Sequence, residues 1–319
     1  MAYKILIPQD VSETGKAYLR DRGYEIKMGS GISFETLQNE VRDCHGILAR
    51  TARYPAEVLR AGTHLKVIGR HGVGVDNIDI AAATELGIYV TNAPESNAGS
   101  VAEHTIGLII AAARHLVQCD AALRSGNFEI RNQMIGNDIE GKVLGLIGVG
   151  RIGRLVARKA GIGLGMKVIG FDPFVDPALV PEVEFTDSME GVLKNADFVS
   201  LHLPVNEKTM GLIDKARLLM MKSSAYLLNV ARGGIVHEND LVEILSEKRI
   251  AGAALDVFTE EPPSPSNPLF KLDNVTVTPH NAALTRECMD RMAVHAAQGI
   301  DEVLSGRTPT WPVNEPKTK

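Results

Sequence analysis

Short β-rich runs separated by single amphipathic segments recur along most of this chain, and that alternation restricts its fold more than any other feature. In the first ninety residues Tyr3 to Ile7, Tyr24 to Met28, Gly46 to Ala49, Lys66 to Gly69 and Ile88 to Thr91 read as strands. Helical patterns fill the gaps at Glu13 to Arg22, Phe34 to Arg42, Pro55 to Ala61 and Ile78 to Leu86. Strands spaced by single helices make βα units, and βα units make parallel sheets covered on both faces. A second alternation supplies Val143 to Ile147, Lys167 to Phe171, Phe198 to Leu201, Tyr226 to Val230, Gly252 to Leu255 and Val275 to Thr278. Six strands with helices between them is the strand count of a Rossmann sheet. The expected class is therefore α/β, with two doubly wound parallel-sheet domains.

Between the two blocks, Ser100-Val101-Ala102-Glu103 is a capping-box pattern ahead of an apolar run. It predicts a long helix that starts at Ser100 and connects the domains. A last helix is expected at about Thr285 to Leu304. The tail beyond it, through Pro309, Pro312 and Pro316, has no βα pattern and is expected to pack back on one domain. The two blocks share a pattern but no internal sequence repeat.

Composition narrows the function classes. A chain of 319 residues, 45% hydrophobic and 23% charged, is long enough for two domains and ordinary for a globular protein. A net charge of −5 provides no general basic field, so nucleic acid is not an expected partner. Cys44, Cys119 and Cys288 are odd in number and far apart, which suits small hydrophobes in a reducing cytoplasm better than disulfides or a zinc cluster. The N-terminal apolar run breaks at Pro8, too short for a signal peptide. The longest apolar stretch, Thr105 to Ala113, is less than half of the ~20 residues of a membrane span, so no membrane anchor is expected.

Ten of the thirty glycines fall between Gly136 and Gly170. Within them Gly148-Val149-Gly150-Arg151-Ile152-Gly153 matches GxGxxG, and its context gives it meaning: it follows an apolar strand and opens a helical run. Gly148 would allow the tight turn, Gly150 the approach of a pyrophosphate, and Gly153 close packing of helix on strand. Asp172 lies nineteen residues past Gly153, where a carboxylate accepts from an adenosine ribose hydroxyl. No arginine follows it to welcome a 2′-phosphate, so NAD is expected in preference to NADP. The other glycines of the cluster, such as Gly161, Gly163 and Gly165, read as ordinary turns. Two further patterns fail on their own terms. Gly136 to Val143 begins like a phosphate-binding P-loop but has Val143 where a Ser or Thr belongs, and His237-Glu238 would need a second histidine where Leu241 stands. No metal site is expected.

Ligands of α/β sheets bind at the carboxyl edge, and three consecutive strands of the second block end in polar groups. The segments that follow them carry Arg232, then Asp256 with Glu260 and Glu261, then His280. Each alone has an ordinary explanation as a loop charge or a satisfied polar residue. Together, beside a dinucleotide site, they suit reduction of a 2-keto acid: a forked guanidinium for carboxylate and keto oxygen, and an imidazole to supply the proton.

These residues, with the strings Asn229-Val230-Ala231-Arg232-Gly233-Gly234, Ala254-Leu255-Asp256-Val257-Phe258 and Glu260-Glu261-Pro262, resemble the D-isomer-specific 2-hydroxyacid dehydrogenases. Gly69-Arg70-His71-Gly72-Val73-Gly74-Val75-Asp76-Asn77 and the Ser100 to Glu103 segment extend the resemblance, most closely to the D-3-phosphoglycerate dehydrogenase branch. The resemblance implies a flavodoxin-like substrate domain of residues 1–98 and 285–319, a Rossmann NAD-binding domain of residues 99–284, an active cleft between them, and a homodimer formed through the Ser100 helix region. It implies that His280 is the acid/base, that Glu261 pairs with it and holds it nearer the charged form, and that Arg232 grips the substrate. Gly148, Gly150, Arg151, Ile152 and Gly153 would hold the pyrophosphate, with Asp172, Leu203 and Pro204 toward the adenosine. Val230 would be a further cofactor contact, and Asp256 would lie at the nicotinamide end.

Substrate binding would fall to Arg50, Arg70, His71, Gly72, Val73 and Gly74, the loop presenting backbone amides to the carboxylate. Arg50 and Arg70 occupy places where this branch uses cations for a phosphate, so 3-phosphoglycerate is a candidate substrate. His71 departs from the small residue usual there and would narrow or polarise the loop. The chain also ends about where the NAD-dependent core ends, so feedback control by an amino acid of the serine type is not expected. The alternatives are a glyoxylate or hydroxypyruvate reductase, which needs no distal cation, and an NAD(H)-sensing corepressor-like scaffold with little turnover.

Overall fold

A computed structural model describes residues 3–316. They form two compact units: one holds the described residues up to Asn97 together with those from Leu284 onward, and the other is Ala98–Ala283.

The first unit is built on five parallel strands, β1 (Lys4–Ile7), β2 (Glu25–Met28), β3 (Gly46–Ala49), β4 (Val67–Arg70) and β5 (Tyr89–Thr91), in the order β2-β1-β3-β4-β5. This is the flavodoxin-like order, with its switch point between β1 and β3. Alternate side chains of each strand face opposite layers. Ile5, Ile7, Leu48 and Val67 pack under Ala293, Ala296 and Ile300 of the helix Arg286–Leu304. Leu6, Ile47, Ala49 and Ile68 pack with Leu37, Leu59 and Ala83 on the other side. Two buried faces explain why β3 is apolar throughout. The C-terminal tail adds to the edge of this sheet: Val313 N donates to Val90 O, and the Asn314 side chain accepts from Val90 N and donates to Ile88 O.

The second unit has seven parallel strands, β6 (Val143–Ile147), β7 (Lys167–Phe171), β8 (Glu184–Phe185), β9 (Phe198–Leu201), β10 (Tyr226–Asn229), β11 (Gly252–Leu255) and β12 (Val275–Val277). Their order, β12-β11-β10-β9-β6-β7-β8, is the doubly wound Rossmann order with one more strand at the edge. The six-strand expectation missed β8. It has two residues, pairs only with Ile169 and Gly170, and is too short to show any hydrophobic period.

The long helix starts at Ala98 and runs to Arg114, two residues ahead of the predicted Ser100. Its buried stripe begins at Ala98 and continues through Val101, Ala102, Thr105, Leu108 and Ile109, so Ser100 lies buried inside the first turn and is not an N-cap. No single helix among the described residues is long and apolar enough to cross a membrane. The pair Ala98–Arg114 and Leu116–Arg124 reaches that length only together, bent by 63°, and the apolar stripe of its first member is packed into the core that includes Leu144, Leu146 and Leu228.

Candidate active site

The glycine turn follows β6 at the point where strand order reverses, with β9 on the other side. Its three glycines differ in what a Cβ would meet. Gly148 has φ +93, and a Cβ there would lie 2.5 Å from the carbonyl oxygen of His202. At Gly153 a Cβ would lie 2.4 Å from the carbonyl oxygen of Gly148, so only glycine lets helix Arg151–Arg158 close on the turn. Gly150 instead faces open space, with nothing within 4 Å of a Cβ. No side chain caps this helix. A backbone surface left open at a helix N-terminus fits a pyrophosphate. Asp172 braces the same turn: one carboxylate oxygen accepts from Val149 N at 2.9 Å and the other from Phe174 N at 2.9 Å. Leu203 and Pro204 follow β9 directly, and Leu203 is half-buried against the sheet core. His202 was not singled out from the sequence, although its carbonyl closes the turn. The signal available was its place immediately after the strand across the switch point.

The predicted Arg232, Glu261 and His280 are brought together at the carboxyl edge of β10, β11 and β12. His280 Nδ1 lies 2.6 Å from Glu261 Oε2, and Glu261 Oε1 accepts from Phe258 N at 3.0 Å. Burial alone would raise the Glu261 carboxyl, but the His280 hydrogen bond, the Phe258 N–H and the Arg232 charge together hold it below the usual range. Arg232 is set by Asn229, whose side chain donates to Arg232 O at 2.9 Å and accepts from Ala231 N at 3.1 Å. Gly233 then lets the loop lie against Phe258, where a Cβ would come within 1.9 Å of the Phe258 carbonyl carbon. A cavity of about 310 Å³ opens beside the pair, walled by Phe258, Pro262, Phe270, Val277 and Pro279. Val230 is buried at the end of β10. Asp256, expected at the nicotinamide end, is only 1% exposed, and its carboxylate accepts from Thr278 Oγ1, Asn281 N and Ala282 N.

The other predicted residues gather at the carboxyl edge of the first sheet. Arg50 follows β3 at the switch point and donates to Asp10 O at 2.7 Å. Two residues to which the sequence reading assigns no role, one of them the last residue of the Gly69–Asn77 string, hold that loop: Gln9 Oε1 accepts from Thr51 N and Ala52 N, and Asn77 donates to Arg50 O and Ala52 O. Arg70 ends β4 and donates to His71 O. Gly72 has φ +139, and a Cβ there would touch the Arg70 guanidinium at 2.8 Å. Asn92 donates to Val73 O at 2.8 Å, fixing the loop just before Gly74.

His71 itself is 4% exposed, and its Nε2 has no hydrogen-bond partner among the described residues. Burial first, then the charges of Arg50 and Arg70, push its imidazole down to about 4 from 6.5. The unfolded chain therefore binds a proton that the folded chain excludes, and stability is lost as pH falls from 6.5 toward 4. The loss attributable to His71 is up to about 3 kcal/mol. Urea unfolding of wild type and His71→Leu at about pH 7 and about pH 4.5 should show a shallower acid-side loss in the variant; equal losses would contradict the neutral, buried assignment.

The family model described as "D-isomer specific 2-hydroxyacid dehydrogenase, NAD binding domain" matches residues 106–282. The chain belongs to the D-isomer-specific 2-hydroxyacid dehydrogenase family. Among curated members, the D-3-phosphoglycerate dehydrogenase of Archaeoglobus fulgidus is 42% identical over 98% of this chain and 59% of its own length. The chain thus spans about three-fifths of that curated relative. Among solved structures of similar fold, the TT0316 protein of Thermus thermophilus has a TM-score of 0.91 and 37% identity, covering 98% of this chain and 100% of that one. D-lactate dehydrogenase with NAD⁺ from Lactobacillus jensenii has a TM-score of 0.80 and 29% identity, covering 98% and 100%. The NAD-binding domain of this 2-hydroxyacid dehydrogenase family member contains the glycine turn, Asp172, Arg232, Glu261 and His280.

Proposed function

We propose that this chain is an NAD-dependent oxidoreductase that interconverts a D-2-hydroxy acid and its 2-keto acid. The observation that carries the reading is the His280–Glu261 pair at 2.6 Å beside Arg232, on the same sheet edge as the open glycine turn. With Nδ1 given to Glu261, His280 keeps Nε2 for the substrate oxygen, donating its proton in reduction and taking it back in oxidation. Arg232 grips the substrate carboxylate and polarises the carbonyl. Bound NAD(H) supplies or accepts the hydride. Gly148, Gly150, Arg151, Ile152 and Gly153 would hold its pyrophosphate, with Leu203, Pro204, Val230 and Asp256 as further cofactor positions. Asp172, with both carboxylate oxygens anchored on backbone N–H groups, would repel a 2′-phosphate and favour NAD over NADP.

Substrate choice rests on the first unit. Arg50 and Arg70 flank the loop of His71, Gly72, Val73 and Gly74, and two cations suit a second anionic group such as the phosphate of 3-phosphoglycerate. Reduction of phosphorylated and unphosphorylated three-carbon 2-keto acids, followed by loss of NADH absorbance, tests this. The phosphorylated acid should have the higher kcat/KM, and Arg50→Ala should erase most of that advantage. No advantage for the phosphorylated acid in the wild type would assign the enzyme to small keto acids such as glyoxylate or hydroxypyruvate, and an advantage untouched in Arg50→Ala would mean that Arg50 does not meet the phosphate.

The same reading includes a homodimer in a reducing cytoplasm. Helix Leu116–Arg124 buries none of its own residues, and Leu116, Val117, Leu123, Phe128 and Ile135 are all exposed, an apolar surface suited to a second copy. Cys44, Cys119 and Cys288 form no disulfide, which suits a compartment without disulfide formation.

A further inference from the structure

We infer that His104, on helix Ala98–Arg114, is a positioning residue that sets His280 through the buried Asp256 carboxylate; this rests on the catalytic role proposed for His280. A carboxylate buried to this degree must have its lone pairs occupied by donors. Asp256 Oδ1 accepts from Thr278 Oγ1 at 2.6 Å and Asn281 N at 3.0 Å, and Oδ2 accepts from Ala282 N at 3.0 Å. The backbone carbonyl of Asp256 accepts from His280 N at 2.8 Å. One residue therefore clamps the turn 278–282, whose centre, His280, is held in the left-handed region at φ +50.

His104 completes this clamp from a distant part of the chain. Its Nε2 lies 3.0 Å from Thr278 Oγ1 and 3.6 Å from Asp256 Oδ1. The Thr278 hydroxyl has a single hydrogen, and it is given to Asp256. The hydroxyl must therefore accept at its contact with His104, so the imidazole carries a proton on Nε2. The chain of donors runs His104 Nε2–H to Thr278 Oγ1–H to Asp256 Oδ1, and each bond polarises the next. Removing the first donor weakens the second, loosens the Asp256 carboxylate and frees the turn that presents His280 to Glu261.

The test compares His104→Leu, which loses the donor, with His104→Gln, whose amide N–H reaches to a similar place. In the NADH-saturated enzyme, His104→Leu should lower kcat by about 3- to 10-fold, the worth of one hydrogen bond in such a network, with KM for the keto acid nearly unchanged. His104→Gln should restore most of the loss. Amide hydrogen exchange at His280, Asn281 and Ala282 should quicken in His104→Leu and return toward wild type in His104→Gln. Thr278→Val, which breaks the relay one step later, should copy His104→Leu in both readouts and serves if the leucine variant does not fold. Unchanged exchange at the turn in both His104→Leu and Thr278→Val, or His104→Gln as impaired as His104→Leu, would overturn the inference. Absence of turnover in the wild type would reject the proposed function instead, and the exchange measurement would still decide the clamp.

Discussion

His280→Ala is expected to lower turnover of a 2-keto acid by roughly 10²–10⁴-fold, the usual contribution of a positioned acid/base group. NADH binding should survive, because the glycine turn and Asp172 lie after β6 and β7 while His280 follows β12 at the opposite end of the sheet. The side chain is half-exposed, and no core packing is lost with it. Stability should therefore change little, and a drop in kcat cannot be ascribed to unfolding. Removing Glu261 should act in the same direction but more weakly, since the imidazole stays and only its orientation suffers. Turnover and NADH titration of the same His280→Ala preparation check both halves, and normal turnover would reject the mechanism.

Gly233→Ala should be the most damaging single-methyl change in the second unit. The added carbon would lie 1.9 Å from the Phe258 carbonyl carbon and 2.0 Å from its oxygen. The obstacle is backbone, so no side chain can rotate away. Either the Arg232 loop or the Phe258–Glu261 loop must move, and both carry residues assigned to the reaction. Overpacking of this kind costs about 1–3 kcal/mol, and a displacement on the order of 1 Å at a reacting group costs about 10²-fold in rate. Thermal unfolding together with kcat/KM should show both losses. A variant with wild-type kcat/KM would mean that the close approach of these loops has no part in catalysis.

Much of the fold was readable because most strands of both sheets are short, largely apolar and separated by single helices. β3, β6, β7, β9 and β11 have the limits that the sequence pattern predicts, since burial on both faces leaves them almost wholly apolar, with only Lys167 at the start of β7 and Ser200 inside β9 as polar residues. What escaped were features set by tertiary contact. The two-residue β8 exists only because β7 offers it an edge. The start of the helix Ala98–Arg114 was misplaced because Ser100 has the residue type of a cap but the burial of a core position. At the site, glycine spacing and three strand-end residues pointed to Gly148, Arg232, Glu261 and His280. Gln9, Asn77 and His104 could not be found that way. Each acts through residues far away in sequence, and a lone polar side chain carries no spacing signal until the fold supplies its partner.

In the proposed mechanism His280, held by Glu261 beside Arg232, serves a hydride transfer confined to one face of a 2-hydroxy acid. The most direct measurement is NADH formation from NAD⁺ with matched D and L isomers of the same 2-hydroxy acids, phosphorylated and unphosphorylated. With the carboxylate on Arg232 and the hydroxyl on His280, only one enantiomer can turn its C–H toward the cofactor. Oxidation of the D isomer with negligible rate on the L isomer is the predicted result. Comparable oxidation of the L isomer, or of neither, would rule out this stereochemical assignment of His280 and Arg232.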